Sequence, residues 1–266
     1  AARRIDAEAL SRRIRVRGTA DELDRLAETL NGMLARLQST FTEMRRFSAD
    51  AAHELRTPLT ALKGTLEVAL RADRTGEEYR VALASALEEV ERLVRLSEDL
   101  LLLSRSSAGP ESPGARVDLE SVVLDAASVG ARLGKDRGVV VRVGATAPVA
   151  VQGDARALRR AMLNLLENGV KYTPPGGRVE ISVAEEGETA VVAVEDTGPG
   201  IDPTDAQRIF EPFVRLDAAR ARETGGSGLG LAIARSIVVA HRGTLGVERA
   251  AGGGARFIIR LPADRR

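Results

Sequence analysis

His53 is one of two histidines in the 266-residue chain, and it sits where chemistry is possible. It lies in FSADAAHELRTPL at residues 47–59, with Glu54 beside it and Thr57 four residues on. Around it Phe47, Ala51, Leu55, Leu59, Leu62 and Leu66 recur at three- and four-residue steps, which predicts a helix. Helical i, i+4 spacing stacks His53 and Thr57 on one face. Pro58 falls inside the same pattern. Its missing N–H removes the donor that the Glu54 carbonyl would normally accept, and its ring bends the helix. Neutral imidazole is a competent nucleophile near pH 7, and here it meets a carboxylate and a hydroxyl at a local irregularity.

A second set of polar residues lies far downstream. In LRRAMLNLLENGVKY, residues 158–172, Asn164, Asn168 and Lys171 form one polar stripe, while Leu158, Met162, Leu165, Leu166 and Val170 cover the rest of the helix. Amide oxygens are hard ligands suited to hydrated Mg²⁺, and an ammonium suits phosphate. Asparagine is a poor helix-interior residue, so two in register argue for a task. Asp196 ends a strand in VEDTGPGI, where a carboxylate can accept a hydrogen bond from the amino group of adenine. The glycines of TGGSGLGL, residues 224–231, allow the backbone to approach phosphate at the start of a helix. Neither a GxGxxG before a crossover helix nor a GxxxxGK[ST] loop is present.

HELRTPL resembles the H-box of sensor histidine kinases of bacterial two-component systems. In that family the histidine is phosphorylated and the next carboxylate acts as its base, which gives those roles to His53 and Glu54. The downstream stretches resemble the other boxes, in order. In the N-box, Asn168 is implied to bind Mg²⁺, with Asn164 and Lys171 near the phosphates and Tyr172 against the ring or sugar of ATP. Gly169 departs from the usual alanine, at a helix-propensity cost of about 1 kcal/mol. Asp196, Gly198 and Gly200 match the G1 box, and Phe210 lies in an F-box, IFEPF. Gly226, Gly228, Leu229 and Gly230 match the G2 box. The ATP site is then expected to be the gyrase-like (Bergerat) α/β sandwich. His241, near the end of the last helix, reads as structural, favoured there by the helix dipole.

The elements that must position these groups follow from composition and pattern. Hydrophobic residues make up 44% of the chain, charged residues 29% and aromatic residues 3%, so aliphatic side chains must build the cores. A net charge of +1 removes nucleic acid as a bulk electrostatic partner, and the absence of cysteine removes disulfides and thiolate metal sites. No apolar run is long enough to span a bilayer. The chain opens at Ala1 without methionine, which suggests a piece of something longer.

From Asp21 the positions Leu23, Leu26, Leu30, Met33 and Leu37 keep heptad spacing, resembling the second helix of a HAMP domain, with residues 3–20 as the end of its first helix and its connector. Phe41 follows Leu37 by four residues, a stutter that shifts the coiled-coil phase between that helix and His53. After a turn at residues 71–76, a second long helix is predicted from Glu77 to about Ser104. It carries two apolar stripes, Leu83-Leu87-Val90-Val94 and Leu93-Leu96-Leu100-Leu103. So wide a face predicts a four-helix bundle made by a homodimer of helical hairpins.

Residues 106–116 read as a Ser/Gly/Pro linker. Beyond it the pattern predicts helices near 119–133, 154–171 and 229–241. Strands are predicted near 139–143, 149–152, 178–184, 190–195, 244–248 and 256–261, with Gly252–Gly254 a hairpin turn. The fold class expected is α+β multidomain. Its parts are a HAMP-like piece at 1–37, a dimerisation and phosphotransfer hairpin at 38–105, and an ATP-binding domain at 117–264.

The resemblance implies ATP- and Mg²⁺-dependent phosphorylation of His53 and transfer to an aspartate on a response regulator receiver domain. Through the HExxT pattern and Thr57, it also implies phosphatase action on that regulator. Membrane attachment is expected only through segments outside this chain, with this portion cytoplasmic. Two other readings stay open: a dimeric relay without chemistry, against which intact His53, Asn168 and Asp196 argue, and an ATP-driven clamp, against which the phosphoacceptor hairpin argues.

Overall fold

The computed structural model describes Ile14 and residues 22–71, 75–105, 115–216 and 227–264. By its contacts the chain divides into two units, Ala1–Val90 and Glu91–Arg266.

The first unit is helical. α1 spans Glu22–Leu70, 49 residues, so the heptads, the stutter and the His53 stretch share one element. Glu22 and Asp24 occupy its first turn, the sign of charge that suits a helix N-terminus. Pro58 is buried inside α1, and the helix continues past it. Asn31 grips the backbone of Ile14 with both ends of its amide, accepting from its N–H at 2.8 Å and donating to its carbonyl at 2.9 Å. The rest of residues 3–20 lies outside the described residues. The heptad seam is largely uncovered, with Leu26 56% and Leu37 57% exposed.

α2 spans Gly76–Arg105 and begins in a capping box. Thr75 Oγ1 accepts from the Glu78 N–H, while the Glu78 carboxylate accepts from the Thr75 N–H at 2.8 Å. Its two apolar stripes differ in cover. Leu83 and Leu87 are 62% and 59% exposed, whereas Leu96 is buried and Leu93, Leu100 and Leu103 are half-buried. The boundary between the two units falls inside this helix.

The second unit adds a layer of helices on a mixed sheet. Its elements run β1 (Ala115–Asp118), α3 (Leu119–Asp136), β2 (Val140–Val143), β3 (Ala150–Gly153), α4 (Ala155–Tyr172), β4 (Arg178–Glu186) and β5 (Thr189–Asp196), then α5 (Gly230–Ala240), β6 (Thr244–Arg249) and β7 (Ala255–Pro262). Among the described residues between β5 and α5 there is a 3₁₀ turn, Arg208–Phe210. The strand order is β2-β4-β5-β7-β6, parallel only at β2–β4. Helices α3, α4 and α5 pack side by side, α4 over β4 and β5 and α5 over β6 and β7. Leu158, Met162, Leu165 and Leu166 of α4, Ile181 of β4, Ile233 of α5 and Phe257, Ile259 and Leu261 of β7 are almost wholly buried between the layers. Truncating any of these leucines or isoleucines to alanine would cost about 2–5 kcal/mol.

One feature departs from the expectations. β1 begins at Ala115, inside the stretch read as linker, and pairs antiparallel with β3. Only Val117 of its four residues is buried, so it carries no alternating pattern that a sequence window could detect. The predicted strand at 149–152 therefore joins β1 in a separate two-stranded sheet rather than the main one. Residues 106–114 of the expected linker lie outside the described residues. Among the described residues, no helix is long and apolar enough to cross a membrane.

Candidate active site

α4 is fixed at its start by two caps. The Asp154 carboxylate accepts from the N–H groups of Arg156 and Ala157 at 2.8 and 3.3 Å. The Asp154 N–H donates to His241 Nε2 at 3.0 Å, and His241 Nδ1–H donates to the Ile237 carbonyl at 2.7 Å. His241 is thus structural, as expected, but for a different reason. A backbone N–H can only donate, so Nε2 carries no proton here, and the residue ties α5 to α4 through hydrogen bonds rather than charge.

From that start the predicted stripe appears. Asn164, Asn168 and Lys171 are half-buried along one face of α4, opposite the buried apolar face, and Tyr172 is 40% exposed at its end. Asn164 Nδ2 is buried and has no hydrogen-bond partner among the described residues. Buried polar atoms are nearly always satisfied, so this amide is set for an oxygen-bearing ligand. Burial, and then the nearby charges of Arg215 and Arg137, hold the Lys171 ammonium below its ordinary pKa. An arriving phosphate would relieve both. The residues present therefore fit a magnesium nucleotide. Gly169 is explained by spacing: a Cβ there would meet a methyl of Val179 on β4 at 3.0 Å.

Asp196 ends β5 and is 5% exposed. Its Oδ1 accepts from the Gly198 N–H at 2.8 Å and the Ala255 N–H at 3.1 Å, which leaves Oδ2 for a ligand. Burial pushes its carboxyl above the usual aspartate range, against those two donors. Gly198 lies against the end of α4, where a Cβ would come within 3.0 Å of the Tyr172 carbonyl oxygen. Gly200 has φ +76°, and a Cβ there would sit 2.8 Å from the Gly253 oxygen, so the turn between Asp196 and Ile201 requires glycine twice over.

Phe210 is buried with its ring edge-to-face on Phe257. Leu229 is fully buried, and Gly230 opens α5 beside the Asn164 side chain. Gly226 lies outside the described residues. The structure thus brings together the end of α4, the end of β5 and the start of α5, with Gly198 against Tyr172 and Gly230 against Asn164, while Phe210 packs instead on Phe257. A cavity of about 460 Å³ flanks the Gly200 turn, lined also by Ile201, Asp202, Val247 and Arg249. It touches none of Asn164, Asn168, Lys171 or Asp196, so it is not this site.

In the first unit, His53 is exposed on α1, Glu54 is half-buried and Thr57 is exposed. Thr57 Oγ1 donates to the His53 carbonyl at 3.3 Å. Six hydroxyls of α1 bond back four residues among the described residues, and the other five do so at 2.8–3.0 Å. The Thr57 bond is therefore the longest of the series.

Sequence reasoning missed two contributors. One is the Ala255 N–H that braces Asp196, since backbone donors leave no side-chain signal. The other is Arg160, one turn before Asn164, which pairs with Asp99 of α2 while its Nε stays buried without a partner among the described residues. Burial raises the Asp99 carboxyl, and Arg160 offsets part of that rise.

A helix layer on this mixed sheet, with the ends of α4 and β5 and the start of α5 gathered at one end, is the architecture of the ATP-binding fold of histidine kinases, gyrase B and HSP90. Residues 153–265 match the family described as histidine kinase-, DNA gyrase B-, and HSP90-like ATPase. Residues 43–109 match the His Kinase A (phospho-acceptor) domain, and residues 1–39 the HAMP domain.

The chain is 37% identical over 250 residues to sensor protein IrlS of Burkholderia pseudomallei, covering 92% of the chain and 53% of that protein. It is 40% identical over 244 residues to sensor histidine kinase CusS of Escherichia coli K12, covering 91% and 50%. Among solved structures, histidine kinase AdeS of Acinetobacter baumannii aligns with a TM-score of 0.64 and 27% identity, over 80% of this chain and 98% of that one. Full-length ShkA in complex with AMPPNP aligns with a TM-score of 0.61 and 30% identity, over 81% and 45%. The chain belongs to the sensor histidine kinases of two-component systems. It spans about half the length of these curated relatives.

Proposed function

We propose that this chain phosphorylates itself on His53 from ATP and passes the phosphoryl group to an aspartate on a response regulator receiver domain. The observation that carries the reading is an exposed imidazole in HELRTPL on the same chain as a converged site with an orphaned buried amide, Asn164. AMPPNP bound to the related ShkA supports ATP as the nucleotide. Asn164 and Lys171 would face the phosphates, Tyr172 the ring or sugar, and Asp196 the adenine amino group. A magnesium ion held by Asn168 would neutralise phosphate charge. The turns at Gly198–Gly200 and Gly228–Gly230 would take the phosphates and sugar against backbone.

In the step itself, a ring nitrogen of His53 bonds to the γ-phosphorus as its bond to the β–γ bridging oxygen breaks, and ADP leaves. Glu54 holds or takes the proton on the other ring nitrogen. Catalysis here is mostly positioning and charge neutralisation. We assign to Thr57, on the HExxT pattern, a second activity, loss of phosphate from the regulator; its back-bond to the His53 carbonyl is also the bond that a threonine merely capping the bend at Pro58 would make. The Thr57 hydroxyl spends its hydrogen on the His53 carbonyl, so its lone pairs remain able to orient a water by accepting from it.

The exposed stripe of Leu83, Leu87, Val90 and Val94 supports a homodimer, since a second copy would cover it. On this reading residues 1–37 relay a signal, 38–105 dimerise and carry His53, 106–116 link, and 117–264 bind ATP, as the cytoplasmic portion of a membrane receptor.

Labelled ATP with Mg²⁺ tests the reading. An acid-labile, base-stable label is expected, abolished by His53→Gln and largely kept by His241→Gln. Label remaining on the His53→Gln protein would overturn it.

A further inference from the structure

Two side chains bridge stretches that the nucleotide reading leaves separate. The guanidinium carbon of Arg235, on the second turn of α5, lies 5.8 Å from the ring centroid of Phe210. Phe210 is 5% exposed, although Asp202, Pro203, Thr204, Gln207 and Arg208 before it are exposed. The ring also meets that of Phe257, 6.4 Å between centroids at 84°. Phe257 is fully buried and pairs in register with Val194, two residues before Asp196. A chain of contacts thus runs from α5 through Phe210 and β7 to the strand end that carries Asp196.

A backbone tie runs parallel to it. The Phe213 N–H donates to the Gly228 carbonyl at 3.0 Å. Phe213 holds φ +64°, a left-handed conformation unusual for an aromatic residue, and Gly228 holds φ +71°. A Cβ on Gly228 would meet the Phe213 backbone at 3.0 Å.

We infer that Arg235 is a positioning residue for nucleotide binding, one that holds the Phe210 ring between α5 and β7 and so fixes the end of β5. This rests on the nucleotide reading above. The chemistry favours arginine for the task. A planar guanidinium stacks on an aromatic face, and Arg235 keeps its outer side in water, so little desolvation opposes the contact. Arg235 acts through Phe210 and is not itself a phosphate ligand.

Calorimetry of ATP binding to the full chain tests the inference. Arg235→Met should weaken ATP binding about two- to fivefold, the range of an exposed cation–π contact. Arg235→Lys, which keeps the charge but not the planar stack, should weaken binding less than Arg235→Met does, with thermal midpoints close to the parent. At saturating ATP the rate of His53 labelling should be unchanged. In a Phe210→Leu background Arg235→Met should have no further effect. If Phe210→Leu fails to fold, the contrast between Arg235→Lys and Arg235→Met decides alone.

Equal affinity for the parent and Arg235→Met proteins overturns the inference. So does a loss that persists undiminished in Phe210→Leu, which would make Arg235 a direct ligand. Failure of the parent to bind ATP would instead sink the nucleotide reading itself.

Discussion

Asp196→Asn separates the stability of the fold from its use. Asp196 is 5% exposed, and burial is the largest influence on its carboxyl, raising its pKa. A carboxyl with a raised folded pKa favours the fold most when protonated. That contribution is present below the unfolded pKa and lost as pH rises through the folded one. At pH 7 the ionised group therefore weighs against the fold, and neutral asparagine removes the burden. Its Oδ1 can still accept from the Gly198 and Ala255 N–H groups, so the thermal midpoint should hold or rise.

Binding should move the other way. The substitution replaces an ionised acceptor at Oδ2 with an amide donor facing the adenine amino donor. A hydrogen bond to a charged group is worth about 1.5–3 kcal/mol, so ATP affinity should fall roughly 10- to 150-fold. Guanine presents an acceptor at the same edge, so the preference of ATP over GTP should shrink. Calorimetry with both nucleotides, beside a thermal melt, reads all three quantities. An unchanged ATP affinity would refute the placement of Asp196, and a collapsed midpoint would refute the burial argument.

Three further tests follow. Arg160→Met should destabilise the second unit at pH 7, because it strands the half-buried Asp99 carboxylate. The raised Asp99 pKa means this penalty should shrink as pH falls toward the carboxylate range, and a penalty independent of pH in melts would contradict it. Thr57→Ala should leave His53 labelling intact while slowing phosphate loss from a phosphorylated receiver domain, and loss at the parent rate would make Thr57 purely structural. Deleting residues 38–41 restores an unbroken heptad within α1 and should lock labelling in one activity state; labelling that still matches the parent would make the stutter incidental.

The sequence carried the second unit well where a pattern is local. α4 was legible to within a residue because its apolar face is continuous and its polar stripe stands out against it. The glycines around Gly200 left a similar local mark. β1 was invisible because its partner β3 lies far along the chain and only Val117 faces inward. The capping box at Thr75 and Glu78 was legible in principle, as threonine followed three residues later by glutamate, yet it was absorbed into a turn. Arg235 reads as an ordinary surface arginine until Phe210, a distant residue, is folded beneath it. Gly169 looked like a defect until β4 was seen to press on it.

The place of β7 has a consequence for synthesis. β7 lies between β5 and β6, yet it follows every other described strand in sequence, and its first residue braces Asp196 from 59 residues away. On the ribosome, α1 with His53 emerges before the second unit, while the Asp196 carboxylate has no brace from Ala255 until the closing hairpin appears. Nonsense or frameshift lesions beyond Gly230 would therefore yield chains that still offer His53 and the leucine stripe of α2 but have no finished pocket. If the hairpin pairs with a second copy as proposed above, such chains would compete for intact ones, and late truncations should behave as dominant lesions rather than simple losses.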